Sequence, residues 1–103
     1  MTEMEQRAIY DKSDLSLLND DRFGEIIISA VRYALGRSTN IVSITAEYVE
    51  ACLPYLGDRA MQVVINDIDR HDKIGCLGDA INKYCWLHLR HKITQQIEMN
   101  NSK

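Results

Sequence analysis

The stretch Phe23-Gly24-Glu25-Ile26-Ile27-Ile28-Ser29-Ala30-Val31-Arg32-Tyr33-Ala34-Leu35-Gly36 decides the fold class. Phe23, Ile26, Ile27, Ala30, Val31, Ala34 and Leu35 recur at i, i+3, i+4, i+7, i+8, i+11 and i+12. That period places them on one stripe of an amphipathic helix. Three consecutive isoleucines also suit a strand, but the period is sustained over thirteen residues, and strands are shorter. Asp20 or Asp21 is placed to cap the start, because a carboxylate accepts hydrogen bonds from the free amides of a first turn. Gly36 is placed to end it, because glycine adopts the left-handed conformation of a helix stop at little cost.

Outward from this helix the same logic repeats. Arg37 to Val42 is polar and then β-branched and is expected to be a connection. A second helix is expected from about Ser43, with Ile44 or Thr45, Tyr48, Val49, Cys52 and Leu53 on one face. Pro54 should stop it, having no amide hydrogen to donate. Gly57 and Asp58 open a third helix with Met61, Val64, Ile65 and Ile68 inward, and with Asn66, Asp67, Asp69 and Arg70 in water. Residues 71–78 contain two glycines and are expected to form a loop. Asp79 then caps a fourth helix running to about Met99. Its inward positions are expected to be Ile81, Tyr84, Cys85, Leu89, Ile93 and Ile97, widened by Trp86 and Leu87. Residues 1–12 are expected to be a loose N-terminal arm, Ser13–Leu18 a short turn, and residues 100–103 a frayed tail. The expectation is an all-α, compact single domain of four to five helices, covering residues 13–99.

Composition bounds the function. The 103 residues are 46% hydrophobic and 26% charged, with five glycines and one proline, which excludes disordered and collagen-like chains. One domain at most fits this length. No apolar run approaches the roughly 20 residues of a membrane helix. The N-terminus lacks the basic and apolar regions of a secretory signal, so a cytoplasmic protein without membrane contact is expected. The three cysteines form no closely spaced framework, which fits a reducing compartment. The net charge of −3 is a remainder. Residues 1–25 carry seven acids and three bases, whereas residues 70–92 carry five bases and two acids. The front is acidic and the last helix basic.

Few residue patterns point to chemistry. Gly36-Arg37-Ser38-Thr39 lacks the lysine of a phosphate loop, has Val31 where its first glycine belongs, and follows a helix instead of opening one. His71, Cys76, Cys85, His88 and His91 crowd together, and Cys85, His88 and His91 are one helical turn apart. No Cys-x-x-Cys pair accompanies them, so no metal and no cofactor is expected. Cys76 beside His71 or His88 has no third group to orient it and no oxyanion donor. Catalysis is therefore not expected.

Two surfaces remain. Lys83, Arg90 and Lys92, interleaved with Tyr84 and Trp86, could contact phosphates while Trp86 stacks on a base. Arg32 and Tyr33, with Trp86, lie off the tightest stripes of their helices, and exposed Trp, Tyr and Arg dominate protein interfaces. Such a surface is buried by a partner protein or by a second copy. Arg37 is expected to bond the carbonyls freed at Gly36, or Glu47 or Glu50 on the next helix.

The segment from Ala30 to Val42 also carries a resemblance. Arg32-Tyr33-Ala34-Leu35-Gly36-Arg37 is similar to a core segment of small phage- and prophage-encoded proteins, in which a Thr and then an aromatic and aliphatic residues follow. Here Thr39 is present and Asn40 stands where the aromatic is usual. The likeness extends more weakly around Tyr48, Leu53 and Trp86. It implies a phage-type accessory protein and brings no catalytic residue with it. The reading is a non-enzymatic binder that inhibits or redirects a host protein or complex in the host cytoplasm. Arg32, Tyr33, Arg37, Lys83, Trp86, Arg90 and Lys92 form its surface, and a homodimer is possible. The alternative is a nucleic-acid-binding regulator that uses the last helix.

Overall fold

The structure, a computed structural model, describes residues 21–102. The expected N-terminal arm, the turn at Ser13–Leu18 and the cap at Asp20 lie outside the described residues, as does Lys103. Among the described residues there are four α-helices: α1 Asp21–Ala34, α2 Thr39–Cys52, α3 Asp58–Lys73 and α4 Ala80–Asn101. A single 3-10 turn, Leu53–Tyr55, links α2 to α3. The described residues contain no strand, so the protein is all-α.

The helix ends follow from single residues. Gly36 sits at φ +81, and the Arg37 amide donates to the Ala34 carbonyl at 3.0 Å, which turns the chain out of α1. Asp79 takes an extended conformation, and its carboxylate accepts from the Asn82 amide at 2.9 Å. Other ends differ from expectation. α2 begins at Thr39, four residues early, with extended Ser38 before it. Ile41 and Val42 are β-branched, a mild helix penalty, but Val42 is fully buried and tertiary packing outweighs it. At α3 the cap is Gly57, and Asp58 is the first helical residue. α3 also continues through His71 to Lys73. α4 reaches Asn101, where the Asn100 side chain donates to Asp58 at 3.1 Å and ties the expected fraying end to the start of α3.

Each helix packs on two neighbours, in the cyclic order α1, α3, α4, α2 and back to α1. α1 and α3 run in the same direction, since Gly24 meets Ala60 and Arg32 reaches Asp67. α3 and α4 run in opposite directions, since Asp58 meets Asn100 and Asp72 meets Lys83. The centre is filled by Phe23, Ile27, Val31, Val49, Met61, Val64, Ile68, Trp86, Leu89 and Ile93. The α1 stripe is buried as its period requires, although Ile26 and Ala30 are half-exposed at its edge.

α4 keeps Leu89, Ile93 and Trp86 inward as expected, with Cys85, Leu87 and Ile97 partly buried against the core, and departs from expectation in its first turns. Asn82, Trp86, Leu89 and Ile93 are buried, whereas Ile81 and Tyr84 face outward. The helix is rotated so that its largest side chain is inside: burying an indole removes more apolar area from water than burying Ile81. A similar rotation affects α2, where Val42, Ala46, Val49 and Cys52 are inward and Ile44 and Tyr48 are outward.

Candidate interaction surface

Of the seven residues expected to form a surface, the structure separates five from the other two. Trp86 is completely buried, so it offers no face to a nucleobase or a partner. This corrects the expectation that it lies at the surface. Arg32 is engaged across the α1–α3 interface, where its Nε donates to Asp67 Oδ2 at 2.8 Å. Asp67 itself is only 2% exposed, not in water as expected, and Arg70 stands 3.5 Å from its other oxygen. The position fails the polar-outside rule because two guanidinium groups cover it; a buried carboxylate is retained only when paired. The hydrogen bond to Asp67, and then its charge, push the Arg32 guanidinium above the ordinary arginine value. The next residue outward, His71, donates from Nδ1 to the Asp67 carbonyl at 2.9 Å.

Arg90 is similarly occupied. Its Nε and Nη2 donate to the two oxygens of Asp69 at 2.6 and 3.1 Å, a fork-to-fork pair that binds α4 to α3. That hydrogen bonding raises the Arg90 pKa, against the smaller opposing effect of burial. Both side chains remain partly exposed, and pairs of this kind contribute about 1 kcal/mol or less. Lys83 lies 3.8 Å from Asp72. Lys92 is half-buried. The basic stretch is therefore substantially neutralised by the acids of α3, and its aromatic anchor is in the core. These facts remove the main supports for a phosphate-and-base interface.

Tyr33 and Arg37 stand apart. Tyr33 is 60% exposed at the last turn of α1. The Arg37 guanidinium lies over its ring, 4.7 Å from the centroid, while Arg37 Nε donates to the Tyr33 carbonyl at 3.1 Å. Arg37 thus bonds a last-turn carbonyl, as expected, and neither Glu47 nor Glu50. Glu50 instead meets His88 Nε2 at 3.2 Å, and the His88 ring stacks on Tyr84 at 5.8 Å between centroids. The corner carrying Tyr33 and Arg37 is fixed from below. Asn82, on the first turn of α4, donates from its amide nitrogen to the Arg37 carbonyl at 3.2 Å.

The remaining chemistry-bearing residues do not assemble. Among the described residues no group of three or more His, Cys, Asp or Glu could hold a metal ion. Cys76 is exposed, and its thiol contacts the Ile74 carbonyl at 3.7 Å. Burial pushes the Cys52 thiol above its ordinary value, partly offset by a hydrogen bond from Tyr48. An open groove of about 530 Å³ lies between α1 and α3, lined by Gly24, Ile28, Ser29, Arg32, Arg59 and Val63 among others. Its rim balances Glu25 and Asp58 against Arg32 and Arg59, and it contains no His or Cys. Among the described residues no helix is long and apolar enough to cross a membrane.

No protein-family model, curated protein or solved structure matches this chain. Its functional reading therefore rests on its own residues.

Proposed function

We propose that the protein is a small phage-type accessory protein that acts by binding a host protein and occluding or redirecting it, without bond chemistry. The observation that carries this reading is the Tyr33–Arg37 pair. A tyrosine and an arginine are held against each other at an exposed helical corner, by a ring contact of 4.7 Å and a hydrogen bond of 3.1 Å. Tyr and Arg are enriched among the few residues that dominate interface energies. Side chains fixed before contact lose less conformational freedom on binding. Neither residue contributes to the core, since both are exposed.

The test is a tagged pull-down from nuclease-treated host lysate with wild type, Tyr33→Ala and Arg37→Glu. The expected result is one stoichiometric host protein, bound about 30-fold more weakly by each variant, the size of a hot-spot loss. Circular dichroism should show both variants as helical as wild type. Retention unaffected by either substitution, or recovery of nucleic acid alone when nuclease is omitted, would contradict the reading.

A further inference from the structure

The Tyr33–Arg37 corner continues onto α3. Beside it the Asp67 carboxylate gathers two more guanidinium groups, Arg32 from α1 and Arg70 from α3. Asp67 is buried, but the arginine side chains it holds are 58% and 66% exposed. Arg32 spends its Nε on that carboxylate at 2.8 Å, and Arg70 brings Nη1 to 3.5 Å. Asp67 thus fixes where two forks stand and leaves most of their N–H groups to the surface. Arg32 and Tyr33 are successive residues, so Arg70, Arg32, Tyr33 and Arg37 form one exposed strip across the end of α1. Gly36 adds no side chain to it, and a Cβ there would meet nothing within 4 Å, so no neighbour overhangs that end.

The strip is cationic because acids are missing from it or occupied beside it. The chain has no acid between Glu25 and Glu47. On α3, Asp69 is bonded to Arg90 and Asp72 stands by Lys83. Three guanidinium groups therefore share the single buried carboxylate of Asp67. We infer that the strip docks an acidic protein surface, whose Asp and Glu carboxylates pair with Arg32, Arg37 and Arg70 around Tyr33. Charge complementarity names that occupant, since an arginine fork binds a carboxylate through two parallel N–H groups. Guanidinium groups already oriented by Asp67 and by the Tyr33 ring lose less freedom in doing so. A nucleic acid is a poorer match. One face of the Tyr33 ring is already covered by Arg37, which halves its use as a stacking platform. A strand tracking along α1 from Arg32 would also pass Glu25 two turns back, on a chain of net charge −3.

The inference rests on the host-binding reading and adds to it the chemistry of the partner and two residues that meet it. Titration of the full isotope-labelled chain with a ten-residue glutamate peptide, followed by NMR, tests it. A ten-residue glutamine peptide and a ten-nucleotide thymidine strand are the comparators. At physiological salt the glutamate peptide should shift Tyr33 and the Nε–H groups of Arg32, Arg37 and Arg70, and the glutamine peptide should shift none. Arg70→Gln should weaken the glutamate peptide about fivefold at unchanged helicity, whereas Lys92→Gln, on α4, should not alter it. Shifts centred elsewhere, undiminished binding by Arg70→Gln, or tighter binding of the thymidine strand to the strip overturns the inference. The two readings fail separately. If host capture is weakened by Tyr33→Ala but indifferent to Arg70→Gln, host binding stands and the acidic partner falls. If no host protein is captured, the host-binding reading falls, and the peptide titration still decides the strip.

Discussion

Trp86→Ala is expected to remove about 3–5 kcal/mol of stability, the largest loss available from any single side chain in the core. A chain of this size has a total of about 5–10 kcal/mol, so the variant should be partly unfolded at ordinary temperature. The magnitude follows from position. Trp86 is the largest fully buried side chain and lies in the second turn of α4, within the core cluster to which all four helices contribute. Its removal leaves a cavity that Leu89 and Ile93, one and two turns onward, cannot fill without moving the helix. Trp86→Phe should cost far less. The smaller ring keeps much of the contact and also removes an indole N–H that is buried with no hydrogen-bond partner. Tyr84→Ala, only two residues away but exposed, should change stability by less than about 0.5 kcal/mol. Urea unfolding followed by circular dichroism distinguishes the three. A Trp86→Ala variant as stable as Tyr84→Ala would show that the helix faces the other way.

Gly24→Ala is expected to destabilise the protein by about 1 kcal/mol, opposite in sign to the usual effect. In a solvated helix interior the same change gains about 1 kcal/mol from backbone propensity. Here a Cβ on Gly24 would stand 2.8 Å from the Ala60 Cβ. Both atoms are attached directly to backbone, so no flexible side chain can turn aside, and α1 and α3 must separate. The packing penalty of about 1–3 kcal/mol outweighs the propensity gain. Gly24→Val should be worse. Ala60→Gly in the Gly24→Ala background should recover much of the loss, because it clears the same volume from the other side. The melting temperature checks both, and a Gly24→Ala variant that melts higher than wild type would place the α1–α3 contact elsewhere.

These two sites also show what a sequence can and cannot express here. The α1 stripe, the Gly36 stop, the Asp79 cap and the inward side of α3 at Met61, Val64, Ile65 and Ile68 were all legible, because each depends on local period or on one residue's backbone chemistry. α4 was misread for a physical reason. Ile81, Tyr84, Cys85, Trp86, Leu87 and Leu89 lie all round its first turns, so periodicity allows several inward faces, and only the shape of the cavity formed by the other three helices selects Trp86. Asp67 was misread because its burial depends on Arg32, 35 residues earlier on another helix. Nothing local marks that pairing. The start of α2 is obscured because β-branched Ile41 and Val42 also suit a connection; Ser38, a favoured capping residue, is the local signal that Thr39 is the first helical residue.

The candidate surface was legible in the same uneven way. Tyr33 and Arg37 were identifiable from their place beside the Gly36 turn, and their four-residue separation puts them within reach of each other. The occupation of Arg32 and Arg90 was not, because their acidic partners come from α3, and the sequence does not state which helices are neighbours. The basic character of residues 70–92 is real, but its acids and bases are distributed across the α3–α4 seam, where Asp69 and Asp72 meet Arg90 and Lys83. A charge count along the chain cannot distinguish a basic surface from one half of an ion-paired interface.

The orientation of α4 underlies the whole account, since it places Trp86 in the core and leaves Ile81, Tyr84 and Met99 exposed. Trp86 is the only tryptophan in the chain, so its emission reports this directly. Acrylamide quenching of the native protein should be slight, with emission shifted to the blue, and should become free only on unfolding. Red-shifted native emission, quenched as readily as in urea, would contradict the account.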